Sequence, residues 1–346
     1  MNDLKKFLKG IPRGLWTVIL VFIIIVCALP AILTLPGLLD FSDTGEIGDT
    51  IGGIMGPFIA ILAALLTFIA FWAQFEANRE LIKENRRDHF ENRFYKMLDI
   101  HLESVAELNN RKEDEKIDSI FHVWCLEIEN LFNLIKTQSD FGGYIDEIKT
   151  KYKNDPDQKD FRDFLVSMQS SHEFMEQVVF ETVYSLFFNG STSMLRYGDS
   201  HQTFLANQYA SIITTLILSK GGDGAELLKI QPKNELLGRY YRHLFQIVKF
   251  VVEQHDDLFD EKNWKSGYLS VLRSQMSNYE QMLLYYNAQS SIGSAWNEKH
   301  YIEDYKLIKN IPYFNIALCA GTAPNVMYEE AIKKAEEKGE KFFERY

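Results

Sequence analysis

Two long runs of uncharged, mostly apolar residues constrain this chain more than any other feature of its sequence. The first run, residues 14–39, has 26 residues, and the second, residues 51–75, has 25. A hydrocarbon core of ~30 Å is crossed by about 20 helical residues, so each run is long enough to span a bilayer. We therefore expect a transmembrane hairpin at 14–75, with spans at about 15–39 and 52–74 and an outer loop at 40–51.

A cleaved signal peptide is the alternative interpretation of the first run, because basic residues precede it. Its apolar stretch is longer than the ~7–15 residues of a signal core, however, and no small-x-small cleavage site follows. Neither run carries an ionisable residue near its middle, which argues against a transporter or a proton relay. The sequence favours a retained anchor.

Charge on the flanks predicts the orientation of this hairpin. The stub at 1–13 carries four basic residues, the loop carries four acids and no base, and six bases follow the second run between residues 79 and 96. Because basic flanks stay on the cytoplasmic side, we expect both termini in the cytoplasm and the loop outside. Gly52 and Gly56 have the spacing at which two membrane helices approach closely, which predicts self-association.

The rest of the chain is predicted to be helical. No proline or glycine occurs between Ala73 and Arg111, so the second span is expected to continue into a neck helix at 76–113. Apolar residues then recur at helical spacing through most of residues 114–346, and alternating strand patterns are hard to find. The sequence predicts an all-α protein with a helical cytosolic domain at 114–346.

Composition and motifs exclude several function classes. The formal charge of −11 disfavours a general nucleic-acid coat, although a local basic groove stays open. Three scattered cysteines do not indicate a disulfide framework or a zinc site. The glycines at 221–224 lack the spacing and the Gly-Lys-Ser/Thr ending of a phosphate-binding loop. We expect no metal and no cofactor, and we favour a non-enzymatic function over an enzymatic one.

Two polar segments of the helical domain stand out. Residues 225–250 hold five bases and two acids, and a second segment at 272–287 carries polar side chains through an apolar helix. Such side chains need partners when they are buried, so the two segments are expected to pack as a helix pair. The cluster either binds an anion or satisfies its own polar groups. Its members are Arg239, Arg242, His243, Arg273, Gln275, Glu280 and Asn287.

The order of these motifs resembles the bacterial putative phage abortive infection proteins. It comprises the two spans, then residues 90–103 (FENRFYKMLDIHLE), 240–245 (YYRHLF), 273–280 (RSQMSNYE) and 284–287 (LYYN). The resemblance covers residues 50 to 290, and the final ~50 residues add little to it. It implies an inner-membrane defence protein that arrests or kills the infected cell, but it supplies no catalytic residues.

Three mechanisms follow from this resemblance and stay open at the level of sequence. In the first mechanism, the helical domain senses a phage-derived or nucleic-acid signal, and the spans then compromise the membrane. Alternatively, the domain is a ribonuclease of the HEPN type, in which Arg239 and His243 would be catalytic; three residues separate them, fewer than that motif normally has. In the third, the domain is a non-enzymatic scaffold for another defence protein, such as an operon partner. The partners expected are the lipid bilayer and further copies of the chain.

Overall fold

The computed structural model describes residues 46–110, 119–138, 172–190, 230–311 and 320–344, with a few isolated positions between 17 and 28 and between 143 and 153. Within these ranges every element is a helix, which confirms the all-α fold class. The chain divides into two units, Met1–His89 and Phe90–Tyr346. Most of the first predicted span and residues 40–45 of the outer loop lie outside the described residues.

Helix α1 runs from Glu46 to Asn109 and contains the second predicted span. It begins six residues earlier than the sequence predicts, so residues 46–51 of the expected loop are helical. Asp49 lies in its first turn, where a carboxylate is stabilised by the positive end of the helix dipole. The helix ends at Asn109, whose side-chain oxygen accepts the backbone N–H of Ile120 at 3.0 Å.

Among the described side chains of residues 46–89, none is buried. Gly56–Asn109 is the one stretch among the described residues that is long and apolar enough to cross a membrane, and its apolar window is 0% buried. Phe68, Phe71 and Phe75 are 56%, 66% and 60% exposed. At Gly52 and Gly56 a Cβ atom would meet nothing within 4 Å. The packing role predicted for these glycines stays a prediction.

The second unit is built from residues 90–109 of α1 and the helices that follow. These are α2 (Ile120–Gln138), α3 (His172–Asn189), α4 (Asn234–Val252), α5 (Trp264–Ser274), α6 (Asn278–Gln289), α7 (Ala295–Glu298), α8 (Tyr301–Tyr305), α9 (Pro324–Met327) and α10 (Glu329–Glu337). The apolar stripe predicted for α4 is confirmed, since Leu244, Ile247, Val248 and Val251 are all buried. Gly190 ends α3 with φ +81°, a conformation that glycine adopts without strain.

Helix α6 lies at the centre of this unit. Every residue from Glu280 to Ser290 is buried, so the helix is surrounded on all sides by neighbouring segments. Helices α2 and α3 pack against each other, and α2 also packs on α6. A helix without a solvent-facing side must satisfy its polar side chains through hydrogen bonds inside the protein.

The C-terminal segment also belongs to this core. Phe342 and Phe343 are buried, and the Phe342 ring stacks on Tyr328 at 5.9 Å. The backbone N–H of Glu344 donates to the carbonyl of Lys309 at 2.8 Å, and the Glu344 carboxylate pairs with the Lys309 ammonium at 2.7 Å. Residues 320–344 therefore complete the helical domain.

Candidate functional site

The first part of the candidate site is the contact between α4 and residues 90–109 of α1. The rings of Phe90 and Phe250 stack at 5.3 Å, Nε2 of His243 lies 3.2 Å from the Met97 carbonyl oxygen, and the His101 ring is 5.2 Å from that of Tyr240. Because residue numbers rise along α1 while they fall along α4, the two helices are antiparallel.

The two histidines at this contact differ in their surroundings. His101 is 1% exposed, and neither of its ring nitrogens has a hydrogen-bond partner among the described residues. Burial, and secondarily the nearby His243, lowers the pKa of His101 to about 4, so the ring is neutral at physiological pH. Burial also lowers the pKa of His243. Since a carbonyl oxygen only accepts, Nε2 of His243 carries the proton and Nδ1 is the basic nitrogen.

A small pocket opens one turn along α1 from His101. Its volume is about 20 Å³, which accommodates a single water molecule and excludes a nucleotide. Any larger anion recognised here must therefore bind on the surface beside the pocket. The lining residues are Ser104, Glu107, Leu108, Leu236, Arg239 and Tyr240.

Three buried carboxylates surround α6 and form the second part of the site. Glu280 is 3% exposed and forms a capping box with Ser277 at the start of α6. Its Oε1 accepts the hydroxyl of Tyr240 at 3.1 Å, which joins α6 to α4. Burial raises the pKa of Glu280, while these hydrogen bonds lower it in part.

Glu129 on α2 and Glu181 on α3 are the other two carboxylates. The Tyr286 hydroxyl donates to Glu129, and burial raises the pKa of this glutamate to about 7. Glu181 accepts the backbone N–H of Ser291 at 2.9 Å as well as its hydroxyl, and burial raises its pKa too. Within the described ranges none of the three carboxylates forms an ion pair, so tyrosine, serine and backbone groups alone balance their burial.

Two bases of the predicted cluster lie at the surface of α4. Arg239 and Arg242 are exposed, and neither forms an ion pair among the residues that the structure describes. The Arg242 guanidinium lies over Gly238, where a Cβ atom would come within 3.3 Å of Nη1. These two arginines are available to an anion approaching from solvent.

The remaining members of the cluster have other partners. Arg273 donates to the Lys306 carbonyl at 3.1 Å and to the Ser270 hydroxyl at 3.0 Å. Gln275 is exposed at the end of α5. Asn287 is buried, donates to the Tyr184 hydroxyl at 3.0 Å and accepts the indole N–H of Trp296 at 3.2 Å. Arg273 and Asn287 thus hold loops and helices together, and anion binding by the cluster stays a prediction.

This part of the chain is also the part that matches a known protein family. Residues 232–316 match the family model of the putative phage abortive infection proteins. The match confirms the resemblance for the segment that contains α4 to α8, including all seven residues of the cluster. It starts after residues 90–103, on which the resemblance also drew, and it extends past residue 290. No curated protein and no solved structure matches the chain.

The matched segment therefore contains Tyr240, Glu280 and Tyr286, while Glu129 and Glu181 come from helices outside it. Sequence reasoning missed those two glutamates. The detectable signal is an acid inside an apolar stripe, as at Ile128-Glu129 and Phe180-Glu181-Thr182-Val183. Among the described residues no group of three or more His, Cys, Asp or Glu side chains could hold a metal ion.

Proposed function

We propose that the chain is an anti-phage defence protein that acts by abortive infection from the bacterial inner membrane. The family match at residues 232–316 carries this proposal. Its helical domain senses infection, or acts as the effector, and the infected cell is arrested or killed before phage is released. A phage-derived molecule or nucleic acid is the trigger that this proposal requires.

The anchor in this proposal is the exposed apolar half of α1. Phe71, Trp72 and Phe75 are more than half exposed, and such a surface is unfavourable in water but favourable in hydrocarbon. The bases after residue 78 keep the following segment in the cytoplasm, and the basic stub places the N-terminus there as well. The protein would then be multi-pass, with both termini inside.

Contact with an anionic signal is assigned to the exposed arginines of α4. Arg239 and Arg242 lie three residues apart on one helix, so their guanidinium groups face the same side and can bind one phosphate or carboxylate group. His243 follows on the same helix, half-buried, with Nδ1 as its basic nitrogen. The buried carboxylates keep the helices that carry these residues in place.

Infection of cells that express the full chain tests the proposal. Abortive infection predicts fewer plaques and survival of the culture when phage are scarce, but collapse of the culture when every cell is infected at once. Arg239→Ala combined with Arg242→Ala should abolish protection without changing the amount of membrane-bound protein. Undiminished plaque formation with the unaltered chain, over a broad panel of phages, would contradict the defence role.

The ribonuclease alternative rests on Arg239 and His243, which share the accessible side of α4. It would use the neutral His243 ring as the base that removes a proton from a ribose hydroxyl. Purified full-length protein incubated with RNA separates this activity from sensing. Cleavage that His243→Ala abolishes would support it, whereas protection without any cleavage would favour the membrane mechanism or a scaffold for an operon partner.

A further inference from the structure

The exposed half of α1 carries one continuous stripe with the spacing of a coiled-coil seam. Its positions alternate by three and four residues, so they lie along one side of the helix. Every member is exposed in the single chain. The members are Phe68, Phe71, Phe75, Asn78, Ile82 and Asn85, and Ile61 stands seven residues before Phe68. We call these residues the heptad stripe.

In the proposed membrane anchor, lipid covers only the first part of the heptad stripe. The second uncharged run ends at Phe75, and residues 76–89 include eight charged side chains. Ile82 lies within that charged stretch and is 53% exposed. A hydrocarbon core that ends near Phe75 leaves Ile82 in water or headgroups. The stripe therefore calls for a protein partner that continues beyond the membrane.

The polar members of the stripe indicate what that partner is. Asn78 and Asn85 are seven residues apart, at the same position of successive heptads. A carboxamide both donates and accepts hydrogen bonds, so it pairs well with an identical group. In a parallel pair of identical helices each of these asparagines faces its own counterpart. An Asn in such a seam also fixes the alignment of the two helices, at a cost in stability.

The charges beside the stripe favour the parallel orientation. Arg79 and Arg86 flank it on one side, again at the same position of successive heptads. In an antiparallel pair the two rows of arginines would face each other, whereas in a parallel pair they lie on opposite sides of the seam. Helices anchored in one membrane with one topology must also run parallel; this last argument rests on the proposed function.

We propose that two copies of this chain pair in parallel along the heptad stripe, from the membrane into the neck. Phe68, Phe71 and Phe75 pack within the bilayer, and Asn78, Ile82 and Asn85 continue the seam into the cytoplasm. The two asparagines weaken the cytoplasmic part. Pairing therefore depends on the anchor, which confines the copies to one surface and raises their effective concentration.

Cysteine cross-linking of the full chain in native membranes tests the pairing. Asn78→Cys, Ile82→Cys and Asn85→Cys are made one at a time in a chain in which Cys27 and Cys319 are replaced by alanine and the buried Cys125 is kept. Glu80→Cys is the matched control, because it lies in the same exposed neck on the opposite side of the helix. Each membrane sample is treated with a mild oxidant, and the covalent dimer is quantified.

Each of the three stripe variants should form several-fold more dimer than Glu80→Cys. Cross-linking at Ile82→Cys without Asn78→Cys or Asn85→Cys would indicate antiparallel pairing and overturn the proposal, as would equal cross-linking on both sides of the helix. Contact of the stripe with another part of the same chain would give no dimer and would overturn it too. Each reduced variant is also scored for membrane association and phage protection. A chain that stays monomeric but associates with the membrane and protects against phage would refute the pairing and leave the proposed function standing.

Discussion

Aromatic side chains occupy opposite environments in the two units of this protein. In residues 46–89, Phe71 and Trp72 are 66% and 58% exposed, whereas in the second unit Phe94, Phe121 and Tyr286 are 0% exposed. The exposed aromatic residues lie on a stretch of α1 that is apolar on every side. The buried aromatic residues alternate with polar residues that face solvent or a buried partner. Aromatic content alone therefore does not say whether a segment forms its own core or requires lipid or another chain.

The largest contrast is expected from truncating one aromatic residue in each unit. Tyr286→Ala removes a buried ring and leaves Glu129 without its tyrosine donor, so we expect a loss of about 3–5 kcal/mol in the free energy of unfolding. Phe71→Ala should leave the unfolding of the helical domain unchanged. Thermal melting of the detergent-solubilised chain measures both, and Tyr286→Phe isolates the hydroxyl. Equal destabilisation by Phe71→Ala and Tyr286→Ala would remove the distinction between the units.

A single charge distinguishes a surface that faces lipid from one that faces water. Leu66 and Val271 are 53% and 37% exposed, the first on α1 and the second on α5. An arginine near the bilayer centre costs about 2.5–3.5 kcal/mol, so Leu66→Arg should reduce the carbonate-resistant membrane fraction. Val271→Arg should leave that fraction unaltered. If both variants remain fully membrane-bound, α1 is not the anchor.

The buried carboxylates make the stability of the second unit depend on pH. The pKa of Glu129 is raised from 4.5 to about 7, so between these values the folded domain binds more protons than the unfolded chain. Its stability therefore falls as pH rises through this window, by about 1.4 kcal/mol per unit of pKa shift at most. Glu129→Gln should remove this loss, so its melting temperature should exceed that of the wild type at pH 8 and approach it at pH 5. Glu235→Gln, at an exposed position in the first turn of α4, is the control and should show no such trend.

The smallest effect on stability is expected at the surface of α4. Arg239→Ala and Arg242→Ala should each change the unfolding free energy by less than about 0.5 kcal/mol, because both side chains are exposed. Protection against phage should nevertheless be lost, while Lys249→Ala on the same helix should retain it. Full protection by both variants would show that the cluster has no role in defence. A parallel fall in melting temperature and protection would make it structural.

Helix periodicity predicted the all-α fold class and the buried stripe of α4, but not the contacts between helices. The stripe on α4 was predicted from spacing alone, because a helix buries one side and Leu244, Ile247 and Val251 recur on it. The hydrogen bonds from Tyr240 to Glu280 and from Asn287 to Tyr184 join residues 40 and 103 positions apart. No local pattern specifies such a pairing, since it depends on how the helices pack. For the same reason the cluster was expected to be one site, whereas its members have separate contacts.

Both the proposed function and the proposed pairing require that the exposed half of α1 crosses the membrane. Labelling of single cysteines in intact spheroplasts with an impermeant thiol reagent tests this directly. Ser42→Cys precedes α1, and Asn110→Cys lies in the exposed turn just after it. We expect the cysteine at position 42 to be labelled from outside and the one at position 110 to be labelled only after permeabilisation. Labelling of both positions from outside, or of neither, would contradict it.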